Sequence, residues 1–158
     1  MKKILVTGGA GYIGSVLVPE LLNKGYEVTV YDNLSFGGNS LFPCFINPNF
    51  KFVKGDVRDI DLLKKHMVGM DVIIHLAAIV GYPACEKDPQ LAIDVNLKAT
   101  IEIAKNVDKN QYVLFGSTGS NYGAVKLNCG STSRKLSVIE EVAVRKRCDI
   151  TSQSLIIL

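Results

Sequence analysis

The sequence has no tryptophan, only two histidines among its 158 residues, and no long hydrophobic run. A bilayer-spanning helix needs roughly 18 or more consecutive apolar residues, so no membrane span is expected. The four cysteines, at positions 44, 85, 129 and 148, form no Cys-x-x-Cys pair and no ligand pattern with histidine. This spacing disfavours a zinc site and a disulfide framework. We therefore expect reduced thiols, no metal ion and a cytoplasmic location, since the apolar run after Lys3 is also too short for a secretory signal.

A concentrated positive charge is also absent from most of the chain. Residues 1–123 carry twelve basic and twelve acidic side chains, whereas residues 124–158 carry six basic and three acidic ones. No aromatic residue follows Tyr122. Scattered charges without interleaved aromatic side chains do not favour nucleic-acid binding. With 47% hydrophobic residues, the composition predicts a globular domain with a real core over 1–123 and a divergent basic tail, partly helical or irregular, over 124–158.

Glycines stand where an apolar strand runs into a helix. Gly8, Gly11 and Gly14 lie between these two elements, and Asp32 ends a second strand eighteen residues after Gly14. This arrangement is typical of a dinucleotide-binding unit, in which the first glycine allows the turn, the second lets a pyrophosphate approach and the third lets the helix pack on the strand. The helix N-terminus adds unpaired N–H groups and a positive dipole end. The alternative is a glycine turn that binds nothing.

Strand-like and helix-like segments alternate over the first 120 residues. Gly25 is a credible helix stop, and Asp88-Pro89 is typical of an N-cap and first helical position, opening a long helix to about Val107. After Tyr122 the regularity fails, apart from a helical turn or two over 138–144 and an apolar end at 155–158. Repeated β-α alternation with right-handed crossovers predicts an α/β fold, a doubly wound parallel sheet that is Rossmann-like, ordered 3-2-1-4-5 and incomplete after strand five. The predicted strands are 4–7, 28–32, 50–54, 72–76 and 112–115.

Six motifs in order carry a resemblance to a known family over about 78% of the chain. They are Thr7–Gly14 (TGGAGYIG), Tyr31–Ser35 (YDNLS), Gly55–Asp59 (GDVRD), His75–Ala78 (HLAA), Asn96–Leu97 and Ser117–Gly123 (STGSNYG). With them the chain resembles the extended short-chain dehydrogenase/reductase family, the NAD-dependent nucleotide-sugar epimerases and dehydratases. The resemblance implies NAD as cofactor and a nucleotide sugar as partner.

Two acidic residues have a physical reading at the adenosine end of such a cofactor. The Asp32 carboxylate can accept both ribose hydroxyls, and its charge would repel the 2′-phosphate of NADP. No Arg or Lys stands at 33–38 to attract that phosphate, which favours NAD. Asp56 could accept the adenine amino group while the Val57 N–H donates to the ring. Alternatively, Asp32 merely ends a strand and Asp56 is a turn residue before a helix.

The resemblance also implies roles around the nicotinamide. Asn96 would brace active-site backbone, and Thr118 would hydrogen-bond the reacting oxygen as a catalytic residue, with Ser117 as the neighbouring alternative. His75 lies in an apolar strand, so a satisfied core histidine is favoured over a catalytic one. The implied cofactor-binding residues are Gly8, Gly11, Tyr12, Ile13, Gly14, Asp32, Asn33, Leu34, Asp56, Val57, Leu76, Ala77, Ala78, Asn96 and Ser117.

The catalytic tyrosine and lysine of the family are where the resemblance breaks. Tyr122 and Lys126 satisfy Tyr-x-x-x-Lys, but Tyr122 is only four residues beyond Thr118, whereas the family presents its tyrosine some twenty residues later. Near that position stand Ala143 and Arg147, and no tyrosine follows Tyr122. We therefore expect an inactive NAD-binding portion of an epimerase or dehydratase, similar to UDP-glucose 4-epimerase.

Two other functions stay open on the residues alone. The chain could be a non-catalytic NAD-binding or partner-binding module, or an active enzyme that uses Tyr122 and Lys126. A parallel sheet that stops at its fifth strand would also expose an edge, which predicts self-association.

Overall fold

The computed structural model describes residues 1–116 and the backbone of residues 155–157. Within these residues, six parallel strands form one sheet in the order β3-β2-β1-β4-β5-β6. The strands are β1 (Lys3–Thr7), β2 (Glu27–Asp32), β3 (Phe50–Lys54), β4 (Val72–His75), β5 (Tyr112–Phe115) and β6 (Leu155–Ile157). The predicted order of the first five strands is confirmed.

Helices connect the strands on both faces of the sheet. They are α1 (Gly14–Asn23), α2 (Ile60–Met67), α3 (Tyr82–Lys87), α4 (Pro89–Ala92) and α5 (Ala99–Asn106), with a 3-10 segment at Asn39–Ile46 and a π-helical segment at Ile93–Lys98. Helix α1 ends at the predicted stop: Gly25 has φ +80° and donates to the Leu22 carbonyl, and Tyr26 N donates to the Leu21 carbonyl. These two bonds form a Schellman motif, which satisfies carbonyls at the helix end.

The core divides into two layers because successive strand residues point to opposite faces. On one face Ile4 and Val6 of β1 pack with α1, whose buried Val18 and Leu22 are one helical turn apart. On the other face, Leu5 packs with buried residues of α2 and α5. The sheet is therefore covered on both sides, as the doubly wound prediction requires.

A single helical stretch links β4 to β5, but it is not a single α-helix. Asp88 caps it as predicted, since its Oδ1 accepts the Leu91 N–H at 2.9 Å with Pro89 at the first helical position. The stretch runs to Asn106, close to the predicted end near Val107. The difference is the six-residue π-helical segment in its middle, and π-helical turns often occur at functional sites.

The sixth strand corrects one expectation. The sequence predicts only an apolar end at 155–158, with the sheet open after strand five. Instead β6 pairs in parallel with β5, with Leu114 opposite Ile156. The edge of β5 is thus occupied by β6. Self-association through an exposed sheet edge stays a prediction.

Two remaining observations concern the described part of the chain. Among residues 1–116, no helix is long and apolar enough to cross a membrane, and no three His, Cys, Asp or Glu side chains cluster as metal ligands. The helical turn or two expected over 138–144, and all of the partly helical or irregular tail expected over 124–158 except residues 155–157, lie outside the described residues.

Candidate functional site

The carboxyl ends of β1, β2 and β4 meet at one edge of the sheet. Strand β1 lies between the other two, with Thr7 opposite Tyr31 on one side and His75 on the other. The chain runs from β1 outward through β2 to β3 and then crosses back to β4. In open parallel sheets, ligands bind in the crevice at such a reversal of strand order.

The glycine loop follows β1 into this crevice. Gly8 has φ +70°, and a Cβ there would lie 2.5 Å from the Ala77 nitrogen, so only glycine lets the loop meet the end of β4. At Gly14 a Cβ would collide with the Gly9 backbone, so glycine there lets the start of α1 lie directly against the loop. By contrast, a Cβ at Gly11 would meet only the Gly8 oxygen, at 3.2 Å, so little protein covers that side of the loop.

Helix α1 presents an open N-terminus beside this loop. Its N-cap, Ile13, makes no side-chain hydrogen bond to the helix, and no acidic residue lies in the first turn. Tyr12 and Ile13 are exposed, Tyr12 by 95%. The Ser15 and Val16 N–H groups donate to the Gly11 and Ile13 carbonyl oxygens, and the positive end of the helix dipole attracts anions such as phosphate.

Asp32 connects the end of β2 to the glycine loop. Its Oδ2 accepts the Ala10 N–H at 2.9 Å, and its Oδ1 accepts the Leu34 N–H at 2.8 Å. Leu34 adopts φ +62°, which a leucine rarely takes, so the chain accepts backbone strain directly after Asp32. Each carboxylate oxygen has a second lone pair, and the partly buried Asp32 therefore has acceptor capacity beyond these two bonds.

Asp56 lies at the centre of a polar cluster beyond β3. Arg58 binds it through Nε to Oδ1 at 2.8 Å and Nη2 to Oδ2 at 2.7 Å, and Asn33 Nδ2 donates to Oδ2 at 3.1 Å. The Arg58 guanidinium holds the pKa of this carboxyl well below its usual range, and the bond from Asn33 acts in the same direction. Asp56 is therefore ionised and an acceptor only. Arg58 was missed from the sequence, although an Asp-x-Arg spacing was the available signal.

The Tyr31 side chain contacts the backbone at Gly55 and Asp56. Its ring is fully buried and its hydroxyl donates to the Asp56 carbonyl oxygen at 3.0 Å. The ring fills the space where a Cβ of Gly55 would lie. Burial, with the negative charges of Asp59 and Asp56 nearby, raises the pKa of Tyr31 to about 12, so the hydroxyl stays protonated and donates. Val57, the next residue of this segment, is buried.

His75 is a core histidine, as the sequence favoured. It is 2% exposed, with Nδ1 at 2.6 Å from Thr7 Oγ1 and Nε2 at 3.1 Å from Thr100 Oγ1. Burial lowers its pKa to about 4, so the ring is neutral at physiological pH. After it, Leu76 and Ala77 are half-buried and Ala78 is exposed, so the chain emerges into the crevice there.

Asn96 lies in the π-helical segment, and its side chain hydrogen-bonds to the backbone of the loop that follows β4. Its Oδ1 accepts the Ile79 N–H and its Nδ2 donates to the Ile79 carbonyl, both at 2.8 Å. The Cys85 thiol contacts the same carbonyl at 3.5 Å. The amide thus braces backbone next to Ala78, which is the structural part of the role that the resemblance implies.

The structure therefore brings together the glycine loop, Asp32, Leu34 and the 76–78 segment at one edge, with the Asn33–Asp56–Val57 group beside them. Ser117, Thr118, Tyr122 and Lys126 lie outside the described residues, so their predicted roles stay predictions.

Comparison with known proteins places the chain among relatives of this architecture. The model of the NAD dependent epimerase/dehydratase family matches residues 4–146. A UDP-glucose 4-epimerase from Lactobacillus helveticus is 36% identical over 128 residues, which cover 78% of this chain and 38% of that protein.

Solved structures agree. The UDP-glucose 4-epimerase of Thermus thermophilus in complex with NAD has a TM-score of 0.70 and 31% identity, covering 83% of this chain and 42% of that one. The UDP-Glc/GlcNAc 4-epimerase of Campylobacter jejuni has a TM-score of 0.75 and 28% identity, covering 84% and 42%. The chain spans about two fifths of the length of these relatives. It belongs to the NAD dependent epimerase/dehydratase family.

Proposed function

We propose that the edge built by β1, β2 and β4 binds NAD, as the cofactor part of a nucleotide-sugar epimerase similar to UDP-glucose 4-epimerase. The observation that carries the proposal is the uncapped N-terminus of α1 beside a glycine loop to which the Asp32 carboxylate is hydrogen-bonded. A helix N-terminus that attracts phosphate and a carboxylate that accepts hydrogen bonds from ribose hydroxyls therefore lie next to each other, as a dinucleotide requires.

The residues fit the group along its length. The pyrophosphate would lie over Gly11 and Gly14, where the loop is uncovered and the helix dipole is positive. The adenosine would extend over β2 and β3, with its ribose hydroxyls on Asp32 and its adenine beside Asp56 and Val57. Tyr12, Ile13, Asn33 and Leu34 would form the walls of this half.

The nicotinamide half would lie over the ends of β4 and β5. Leu76, Ala77 and Ala78 offer backbone and small side chains there, and Asn96 fixes the loop beyond them. Ser117 and Thr118 would follow the end of β5, with Thr118 donating a hydrogen bond to the reacting sugar oxygen. When bound, NAD supplies the hydride acceptor for the carbon that bears this oxygen.

Proton transfer is the step for which these 158 residues lack the family's tyrosine at its usual distance from the Thr118 position. The family uses a tyrosine and a lysine four residues apart, some twenty residues beyond the Thr118 position, and no tyrosine follows Tyr122. We therefore infer that these residues by themselves bind cofactor without turning over a nucleotide sugar. Hydride transfer from UDP-glucose to NAD in a single-turnover absorbance assay would contradict this inference.

Cofactor affinity tests the binding site directly. Isothermal titration should show the chain binding NAD more tightly than NADP. Asp32→Asn should lower the affinity for NAD by about tenfold or more, since a hydrogen bond to a charged group is worth roughly 1.5–3 kcal/mol. It should also reduce the ratio of the affinity for NAD to the affinity for NADP. Glu20→Gln, at an exposed site on α1, is the matched control that removes one negative charge elsewhere. No binding of NAD by the wild-type chain, or an unchanged preference in Asp32→Asn, would overturn the proposal.

A further inference from the structure

A buried chain of hydrogen bonds runs from β1 to the loop after β4. Thr7 Oγ1 lies 2.6 Å from His75 Nδ1, and His75 Nε2 lies 3.1 Å from Thr100 Oγ1. The Thr100 hydroxyl in turn donates to the Asn96 carbonyl oxygen at 2.8 Å. The side chain of Asn96 then binds both backbone polar groups of Ile79: its Oδ1 accepts the N–H and its Nδ2 donates to the carbonyl oxygen.

The direction of each bond follows from counting protons. A hydroxyl has one hydrogen, and that of Thr100 is donated to Asn96, so Thr100 can only accept from the imidazole. His75 must then carry its proton on Nε2, and its unprotonated Nδ1 accepts from Thr7. All three side chains are buried, where an unpaired polar group costs about 1–3 kcal/mol. This network assigns one tautomer to His75 and one orientation to each hydroxyl.

The hydrogen-bond network reaches Asn96 inside a segment whose backbone is not regular α-helix. Asn96 lies within the π-helical segment, where Ala99 N donates five residues back to the Asp94 carbonyl. Thr100 is the second residue after this segment, and its hydroxyl donates to the backbone carbonyl of Asn96, whose side chain binds Ile79. The position of the Asn96 amide is therefore set by Thr100 and His75 as well as by its own backbone.

We propose that Thr100 and His75 are positioning residues for the nicotinamide half of the cofactor site, acting through Asn96 on the loop that follows Ala78. This inference rests on the proposed NAD site. The inference predicts that only one half of the site changes. Loss of these hydrogen bonds displaces the loop after β4. Asp32, at the end of β2, and Asp56, just after β3, lie on the other side of β1 and keep their positions.

The test compares NAD with ADP, which has the adenosine and both phosphates but lacks the nicotinamide riboside. Thr100→Val keeps the shape of the side chain and removes the hydroxyl. It should raise the Kd for NAD about fivefold, as expected for one lost hydrogen bond, and leave the Kd for ADP unchanged. Thr100→Ser, which keeps the hydroxyl, should bind both ligands as the wild type does.

A buried threonine outside this hydrogen-bond network supplies the matched control. Thr29 on β2 is 4% exposed and lies outside the chain of bonds, so Thr29→Val should not change the ratio of the two affinities. Equal weakening of NAD and ADP by Thr100→Val, or no change in either, would overturn the positioning role. If the wild-type chain binds ADP but not NAD, or neither ligand, the proposed function fails and this inference with it.

A measurement on the wild-type chain does not depend on the folding of any variant. Long-range ¹H–¹⁵N spectra at pH 7 distinguish the two neutral tautomers of histidine. The proposal requires the proton of His75 on Nε2. A proton on Nδ1 would leave Thr100 without its donor and would refute the proposal.

Discussion

Alanine at Gly8 would introduce two separate energetic costs, and other glycines of the chain allow them to be measured apart. Gly8 and Gly25 both have a left-handed backbone, with φ +70° and +80°. A side chain in that conformation costs about 1–2 kcal/mol. Among the residues that the structure describes, none lies within 4 Å of a Cβ placed at Gly25, so Gly25→Ala should lose only the free energy of the backbone conformation. Gly69, with φ +73° and equally open surroundings, should behave in the same way.

At Gly8 a steric cost is added. The new Cβ would lie 2.5 Å from the Ala77 nitrogen and 2.7 Å from its Cα, and neither backbone atom can rotate away as the end of a side chain could. Overpacking of this kind typically costs about 1–3 kcal/mol. We therefore expect Gly8→Ala to lose roughly 2–5 kcal/mol of unfolding free energy, against about 1–2 for Gly25→Ala.

Urea unfolding at 25 °C, followed by circular dichroism, measures both values in one assay. Isothermal titration of NAD then separates stability from function: Gly25→Ala should bind NAD as the wild type does, and Gly8→Ala should bind it weakly because β1 and β4 are forced apart at the crevice. Equal stability losses in the two variants would refute the reasoning, since the contact with Ala77 would then carry no energy.

Two further predictions concern titrating groups. The pKa of His75 is lowered to about 4 in the folded chain, against about 6.5 when unfolded. Between these pH values the unfolded state binds the extra proton. The free energy of unfolding therefore falls as the pH decreases through this range, by up to ~1.4 kcal/mol per pH unit. Urea unfolding at pH 7, 6 and 5 should show this slope, and His75→Asn should flatten it; an equal slope in the variant would contradict the prediction. Arg58→Ala should raise the pKa of Asp56 toward its ordinary value, because the Arg58 guanidinium is the largest cause of the lowered pKa. An NMR titration of the side-chain carboxyl carbons measures this pKa. No change in the variant would show that Arg58 is not the cause.

Local patterns predicted most of what positions the site. The run from Thr7 to Gly14, with Asp32 after it, predicted the strand, turn and helix because each depends on neighbours in sequence. Asp88 with Pro89 indicated the start of the helical stretch for the same reason, since a cap needs only the next three residues.

The parts that were missed depend on contacts between distant segments or on weak local preferences. Nothing in Ile93–Lys98 distinguishes a π-helical turn from an α-helical one. The three residues of β6 are too few for a periodicity, so their pairing with β5 could not be read from them. Thr100 did carry a signal, because a threonine inside a helix often bonds to the carbonyl four residues back, but its link to His75 exists only in the folded chain.

The parallel sheet has a consequence for the order in which the chain can fold during synthesis. Strand β1 is made before the other five described strands, yet it lies in the interior of the sheet. Its partner on one side, β4, begins 68 residues after Ile4, at Val72, which lies opposite Ile4. At about 5–20 residues per second, a ribosome needs roughly 3–14 s to make that stretch. During this time Ile4, Leu5 and Val6, which are buried in the finished fold, have no neighbour on that side. The nascent chain therefore has a defined interval in which one side of β1 is open to chaperones or to other chains.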